Sequence, residues 1–364
     1  MKTTTPMRAA VTAAVWLGAL TLLACSSTSS PSSPPPDSGA GETGAAAPAW
    51  NIVLQGLQPS LLSVWGTSQS DVFAAGGGLG NGTPTTLLHY DGTAWKDLGA
   101  GGTDTFWWVH GTSDHDVWAV GTSGRIAHWD GTAFTAHTSG TTATLYGVWA
   151  ASATDVWVVG GTPGGGTAQP NDVLLHYDGT SFTPSPLPMT LGRTFFKVWG
   201  TSSANLYIVG EYGTVWHRTG TTWALEANQP TPLASGNLTT VAGCSATDVY
   251  AVGGLDVLQS NGTTWSRANV TVENAGVNGV SCGSPGHVVL VGFGGYRQRL
   301  VAGAWVDDTV SSPVVNDLHG AWADPQGGYW AAGGHFIDMP VAGGSRDGIL
   351  AYYGAATIAS TMAK

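Results

Sequence analysis

The chain has 364 residues, 54 of them glycine and 17 tryptophan, with only 10% charged residues and a formal net charge of −11. That acidity, and eight scattered arginines that form no basic stripe, exclude nucleic acid as a partner. Abundant Gly, Thr and Val, and no amphipathic helical period after residue 30, exclude a helical fold and predict an all-β, turn-dense chain. Hydrophobic residues make up 42%, enough to bury a large core.

Residues 1–24 read as an export signal. Lys2 and Arg8 precede an apolar run from Ala9 to Leu23, which ends in Leu22-Leu23-Ala24-Cys25. At helical rise the residues from Ala9 to Ala24 reach about 24 Å, short of the ~30 Å hydrocarbon core, so cleavage is expected rather than membrane spanning. The segment resembles bacterial lipoprotein signals, with leucine at the second lipobox position a mild departure. The resemblance implies that the Cys25 thiol takes a diacylglyceryl group and that Cys25 becomes the new N-terminus. Ser26 is not the aspartate of an inner-membrane retention signal, so the expected address is the outer membrane, periplasmic or surface-exposed. The rest of segment 25–48, SSTSSPSSPPPDSGAGETGAAAP, lacks apolar periodicity and reads as a disordered tether spanning at most about 70 Å.

Residues 49–364 repeat one unit. Its core appears seven times, as DVFAAG, DVWAVG, DVWVVG, NLYIVG, DVYAVG, HVVLVG and GYWAAG, opening at positions 71, 116, 155, 205, 248, 287 and 328. Successive copies are therefore 45, 39, 50, 43, 39 and 41 residues apart, the period of a four-stranded propeller blade. Within a copy, a strand ending in Val-Trp-Gly (Leu62 to Gly66) precedes a Thr-Ser-x-x-Asp turn, and the six-residue core forms the second strand. A third, alternating strand such as Thr86 to Tyr90 leads into Asp91-Gly92, Asp130-Gly131, Asp178-Gly179 or Asn261-Gly262. These are two-residue hairpin signals in which both central residues require positive φ. The fourth strand starts at an aromatic: Trp95, Phe134, Phe182, Trp223, Trp265 or Trp305.

The seventh copy has no clear fourth strand after Tyr352-Tyr353-Gly354, and residues 49 to 54 look like a fourth strand without a blade. The N-terminal strand is therefore expected to complete blade seven and cover its edge, with Ala355 to Ala359 as the competing segment. The fold class expected is an all-β, seven-bladed propeller with four antiparallel strands per blade.

The VWGTSxxDVWAVG…HYDGTxW repeat resembles that of predicted bacterial lipoprotein propellers of the Trp-Asp and Asp-box superfamily. Four positions from Asp91 to Trp95, where Asp-box repeats have five, argue against the glycosidase members. His217-Arg218-Thr219-Gly220-Thr221-Thr222-Trp223 is loosely similar to the hairpin of tectonin-type lectins.

Residue types present in most copies serve the blade, because one ligand does not require them seven times. That sets aside Trp65, Trp149, Trp199 and Trp322, the histidines His89, His128, His176 and His217, and the turn residues Asp71, Asp116, Asp155 and Asp248. No phosphate loop, HExxH, GxSxG or calcium loop is present, so no catalytic residue, metal or cofactor is expected. Cys244 and Cys282, at strand ends in adjacent blades and in an exported chain, form a candidate disulfide, with two buried thiols as the alternative.

The turns of one face are short and uniform. The other face carries long connections, at Gly76 to Thr85, Gly160 to Asp172, Gly333 to Gly348, Thr183 to Thr194, Glu226 to Asn237 and Asp307 to Asp317, and binding is expected there. Candidate ligand residues break the repeat on that face: Trp107 and Trp108 ahead of the first strand of blade two, Lys197 in the column of Ser63 and Thr240, and His319 at the start of blade seven. Tyr212, Tyr296, His335, Asp338, Arg346, Asp347, Asn171 and Asp172 are assigned to the variable loops. Aromatics beside amides and carboxylates suit a protein or surface-polysaccharide ligand. A non-enzymatic, lipid-anchored binding scaffold is the leading expectation, a lectin the second and a glycosidase-like hydrolase the third. Nothing in the sequence sets an oligomeric state.

The anchor is tested by palmitate labelling in a bacterial host: the wild type is expected to be labelled and Cys25→Ala to lose the label. An unlabelled wild type excludes lipidation.

Overall fold

The structure is a computed structural model that describes residues 47–226, 233–272, 276–310, 313–336 and 347–363. The export signal, Cys25 and all but the last two tether residues lie outside the described residues, as do Asp338 and Arg346.

Seven four-stranded antiparallel sheets make up the fold. Their innermost strands are Ser60–Ser68, Phe106–Ser113, Thr144–Ser152, Phe195–Ser202, Thr240–Ser245, Val277–Ser284 and Asp317–Ala323. Each lies against the innermost strand of the next sheet, and the seventh lies against the first, so the sheets form a closed seven-bladed propeller. The second strand of each blade, such as Asp116–Gly121, is covered on both faces. Its near-continuous apolar run follows from that burial.

The recurring Val-Trp-Gly has a specific cause in the ring. A tryptophan on one innermost strand lays the far edge of its indole where a Cβ would stand on the glycine of the next. Cβ positions built on Gly111, Gly243 and Gly66 fall 2.9 Å from Trp65 Cη2, 2.4 Å from Trp199 Cη2 and 3.0 Å from Trp322 Cη2. In register, the seven pairs around the ring are Trp65–Gly111, His110–Ala150, Trp149–Gly200, Trp199–Gly243, Ala242–Cys282, Ser281–Ala323 and Trp322–Gly66. Each tryptophan of this column corresponds to a glycine and each smaller side chain to a residue with a Cβ, although the space beside Gly200 is taken by Leu206 rather than by Trp149.

The substitutes make other contacts. Ala150 N–H donates to His110 Nδ1 at 3.1 Å, and Ala323 N–H donates to Ser281 Oγ at 3.0 Å. Between blades five and six, where Ala242 replaces the indole, Cys244 and Cys282 are bonded with their Cα atoms 5.1 Å apart.

The repeated histidines brace neighbouring strands of a blade. His89, His128 and His176 each bond the aspartate that opens the second strand, Asp71, Asp116 and Asp155, at 2.7, 2.7 and 2.9 Å. The His128 ring stacks on Trp118 at 4.1 Å. These aspartates, expected only to shape turns, are therefore the histidines' partners as well.

The Asp-Gly hairpins differ from expectation. Asp91 Oδ1 accepts N–H bonds from Thr93 at 2.8 Å and Ala94 at 3.0 Å, and only Gly92, at φ 88°, is left-handed. The aspartate side chain organises a longer turn, which removes the need for positive φ at two positions.

Both ends of the chain cover sheet edges. Ala49–Leu57 is the outermost strand of the seventh sheet, with Ala49 opposite Gly354 and Ile52 opposite Ala351. The C-terminal residues run instead along blade one. Trp95 Nε1 donates to Ala359 O at 3.0 Å, Trp95 N–H to Thr361 O at 2.9 Å and Ala363 N–H to Trp95 O at 2.7 Å.

The indole–glycine rule predicts a non-additive pair. Gly243→Ala is expected to cost about 1–3 kcal/mol by overpacking. The double variant Trp199→His/Gly243→Ala, copying the His110–Ala150 pair, is expected to lose less than the sum of the single changes in denaturant unfolding. Simple additivity would refute the pairing. Replacing Cys244 and Cys282 by serine is expected to lower stability by ~2–4 kcal/mol.

Candidate functional site

In six blades the innermost strand opens with a register shift that leaves one residue unpaired with the second strand. Such a bulge re-aims its side chain. The bulged residues are Leu62, Trp107, Tyr146, Phe196, Asn278 and His319, and Thr239 holds the corresponding position in blade five. They follow the long fourth-to-first connections, so they sit at the mouth of the central channel on the variable-loop face.

Four of these side chains meet as an arc. Trp107 lies edge-to-face on Tyr146 at 4.9 Å and 65°, and Tyr146 edge-to-face on Phe196 at 5.4 Å and 73°. In the other direction Trp107 reaches His319 at 5.7 Å, across blade one, and His319 meets Phe336 at 6.1 Å. His319 is fixed by donating Nδ1–H to Leu62 O at 2.6 Å. Burial, then the nearby Lys197 charge, pushes its pKa down to about 3, so it remains neutral. The rings are half-buried, and Trp107 Nε1 has no hydrogen-bond partner among the described residues. On the opposite side the mouth is lined by Thr239 and Asn278.

One step further in, Lys197 is buried at 3% exposure. Its Nζ donates to Tyr146 O at 2.9 Å and sits 4.2 Å from the centre of the Trp108 ring. Burial pushes its pKa down to about 7.

Of the sequence candidates, Trp107, Trp108, Lys197 and His319 therefore converge. Trp107 and Trp108 belong to the first strand of blade two rather than preceding it, and the Trp107 column holds aromatics in blades three and four as well. The other candidates lie apart. Tyr296, assigned to a variable loop, is instead 4% exposed in the packing between blades five and six, its hydroxyl donating to Thr271 O at 3.3 Å. Tyr212 sits in a tight turn, Glu211–Gly213, with the Arg193 guanidinium 5.4 Å from its ring centre.

Asn171 and Asp172 hold loops together. Asn171 Oδ1 accepts Thr162 N–H at 2.7 Å, and Asp172 Oδ2 accepts the N–H groups of Leu191 and Gly192 at 3.0 and 2.6 Å. His335 and Asp347 bond each other at the base of the blade-seven loop, next to Phe336.

Tyr146, Phe196 and Phe336 escaped the sequence reading. A signal for the first two was present: the bulged column differs in every blade, whereas the column two residues later is valine in six blades and Ala321 in the seventh. Among the described residues, no group of three or more His, Cys, Asp or Glu side chains converges to hold a metal.

Neither a family model nor a curated protein matches the chain. Solved structures do resemble it. A streptogramin B lyase superposes with TM-score 0.64 at 12% identity, over 83% of this chain and 97% of that one. YCF48 bound to D1 peptide gives 0.61 at 15%, over 85% and 99%, and the WD40 repeats of RRP9 give 0.61 at 11%, over 85% and 99%. At these identities the likeness establishes the seven-bladed architecture and leaves function to the residues of this chain.

Proposed function

We propose that this protein is an exported, lipid-anchored binding scaffold of the cell envelope that grips a segment of a partner protein at the mouth of its variable-loop face. The observation that carries this reading is the arc from Phe336 through His319, Trp107 and Tyr146 to Phe196, facing the polar Thr239 and Asn278. Tryptophan and tyrosine are enriched among the few residues that carry most of the binding energy at protein interfaces. Peptide binding by a similar fold is on record in the YCF48 complex with D1 peptide, and WD40 propellers are among the neighbours. The Cys25 anchor and the tether would hold the propeller near the membrane.

A lectin is the second reading, since aromatic rings also stack on sugars. Its sequence support is weakened by the hairpin that resembles tectonins. His217 bonds Asn205 and Glu226 at 2.8 and 2.7 Å, and Arg218 bonds Ser203 O, so both serve blade four. A hydrolase is the third reading: a lyase is among the structural neighbours, but the arc contains no carboxylate pair.

A photo-crosslinking residue placed at Phe196 of the full-length protein is expected to capture a discrete envelope protein, and the same group at Val306 is not. Trp107→Ala is expected to weaken capture about tenfold or more. Dose-dependent binding on a glycan array that disappears in Trp107→Ala, with no protein captured, would replace this reading with the lectin.

A further inference from the structure

The channel beneath the mouth has its own chemistry, independent of the partner-binding reading. The innermost strands enclose a cavity of about 170 Å³, walled at mid-height by valines from six blades and Ala321. Lys197 is the single charged residue in its lining. The ammonium reaches from blade four past Gly147 of blade three to the Trp108 ring of blade two, and uses one of its three N–H bonds on Tyr146 O. Among the described residues no carboxylate pairs with it.

The remaining polar groups of the lining are mostly donors. His110 Nδ1 accepts Ala150 N–H, which leaves the hydrogen on Nε2. Ser281 Oγ accepts Ala323 N–H, which leaves its hydroxyl hydrogen to donate. The indoles of Trp65, Trp199 and Trp322 rest their benzo edges on the next blade and give their N–H groups to no acceptor among the described residues. A buried cation with no anion from the chain is costly to hold, and a bound anion offsets that cost. The space exceeds ten times the ~10–15 Å³ that a single water needs, so a lone halide leaves most of it unfilled. The valine walls match a hydrocarbon body.

We propose that the central channel binds a small organic carboxylate, its carboxylate on Lys197 and its hydrocarbon part along the valine level.

Binding then depends on pH in a definite sense. The carboxylate pairs with the protonated amine, and burial holds the empty-site amine at about 7, so affinity falls as pH rises past that value. The other titratable groups near the ammonium or in the channel lining stay neutral through this range: His319 of blade seven at about 3, His110 of blade two at about 4, and Tyr146 of blade three, raised by burial.

The test is butyrate titration of the full-length protein labelled with ¹³C-lysine. The chain has four lysines, Lys2, Lys96, Lys197 and Lys364, and Lys197→Met identifies the relevant signal. Saturable movement of that signal is expected, with its titration midpoint raised by about one unit or more. Calorimetric affinity is expected to be at least tenfold tighter at pH 6 than at pH 9, and at least tenfold weaker in Lys197→Met and Lys197→Gln. If neither variant folds, the wild-type midpoint decides alone. An unmoved Lys197 signal, or butyrate binding that both variants retain, overturns the proposal. A full shift by sodium chloride at equal ionic strength, with no further effect of butyrate, overturns the organic part of it.

Discussion

The fold depends on an indole edge placed where a Cβ would otherwise stand. Trp65, Trp199 and Trp322 each use the missing side chain of a glycine one blade further on, and so bring adjacent innermost strands into close contact. Blade spacing is thereby set by a pair of residues on different blades rather than within one. That explains why tryptophan and glycine recur together. It also explains why the exceptions are paired: where His110, Ala242 and Ser281 replace the indole, Ala150, Cys282 and Ala323 replace the glycine. The disulfide falls at the interface with the smallest of these side chains, Ala242, and bonds the two blades directly.

Once the middle of each innermost strand is committed to this packing, variation is confined to the strand's ends. At the loop-face end, the bulge turns one residue out of the ladder and toward the mouth in six of the seven blades. This position has neither a neighbouring glycine to fill nor a cross-strand partner to match. Its occupants accordingly range from Leu62 to Trp107, Asn278 and His319. The aromatic arc and the uniform valine level beneath it thus have one origin, a ring that constrains some columns and frees others.

The architecture was legible because the repeat states it seven times. Blade count, strand order and the blade-serving role of the histidines follow from period and register alone, since His89, His128 and His176 bond residues of their own blade. The site was legible in part. Trp107, Trp108, Lys197 and His319 stand out as departures from the repeat, but their convergence depends on which blades face each other across the axis and on the bulge, neither of which a linear alignment displays. Tyr296 misled for the same reason. Its place after a glycine turn resembles a loop tip, yet inter-blade packing buries it. Asn171 and Asp172 are polar loop residues whose hydrogen-bond capacity goes to neighbouring backbone, a use that composition does not distinguish from ligand binding.

The closing strand is locked where it enters the ring. A pull on residues preceding Ala49 acts first on the Ala49–Gly354 pair, where an antiparallel ladder would open from its end. The next residue resists that opening. Trp50 donates its indole N–H to Asp308 Oδ2 of blade six at 2.9 Å and lies 5.2 Å from the Arg297 guanidinium. Asp308 is itself held by Arg299, whose Nη2 donates to Oδ1 at 2.9 Å and whose guanidinium stands 3.8 Å over Tyr353 of blade seven. Fraying at Ala49 therefore meets a side-chain lock joining two blades within one residue of the chain's entry into the ring.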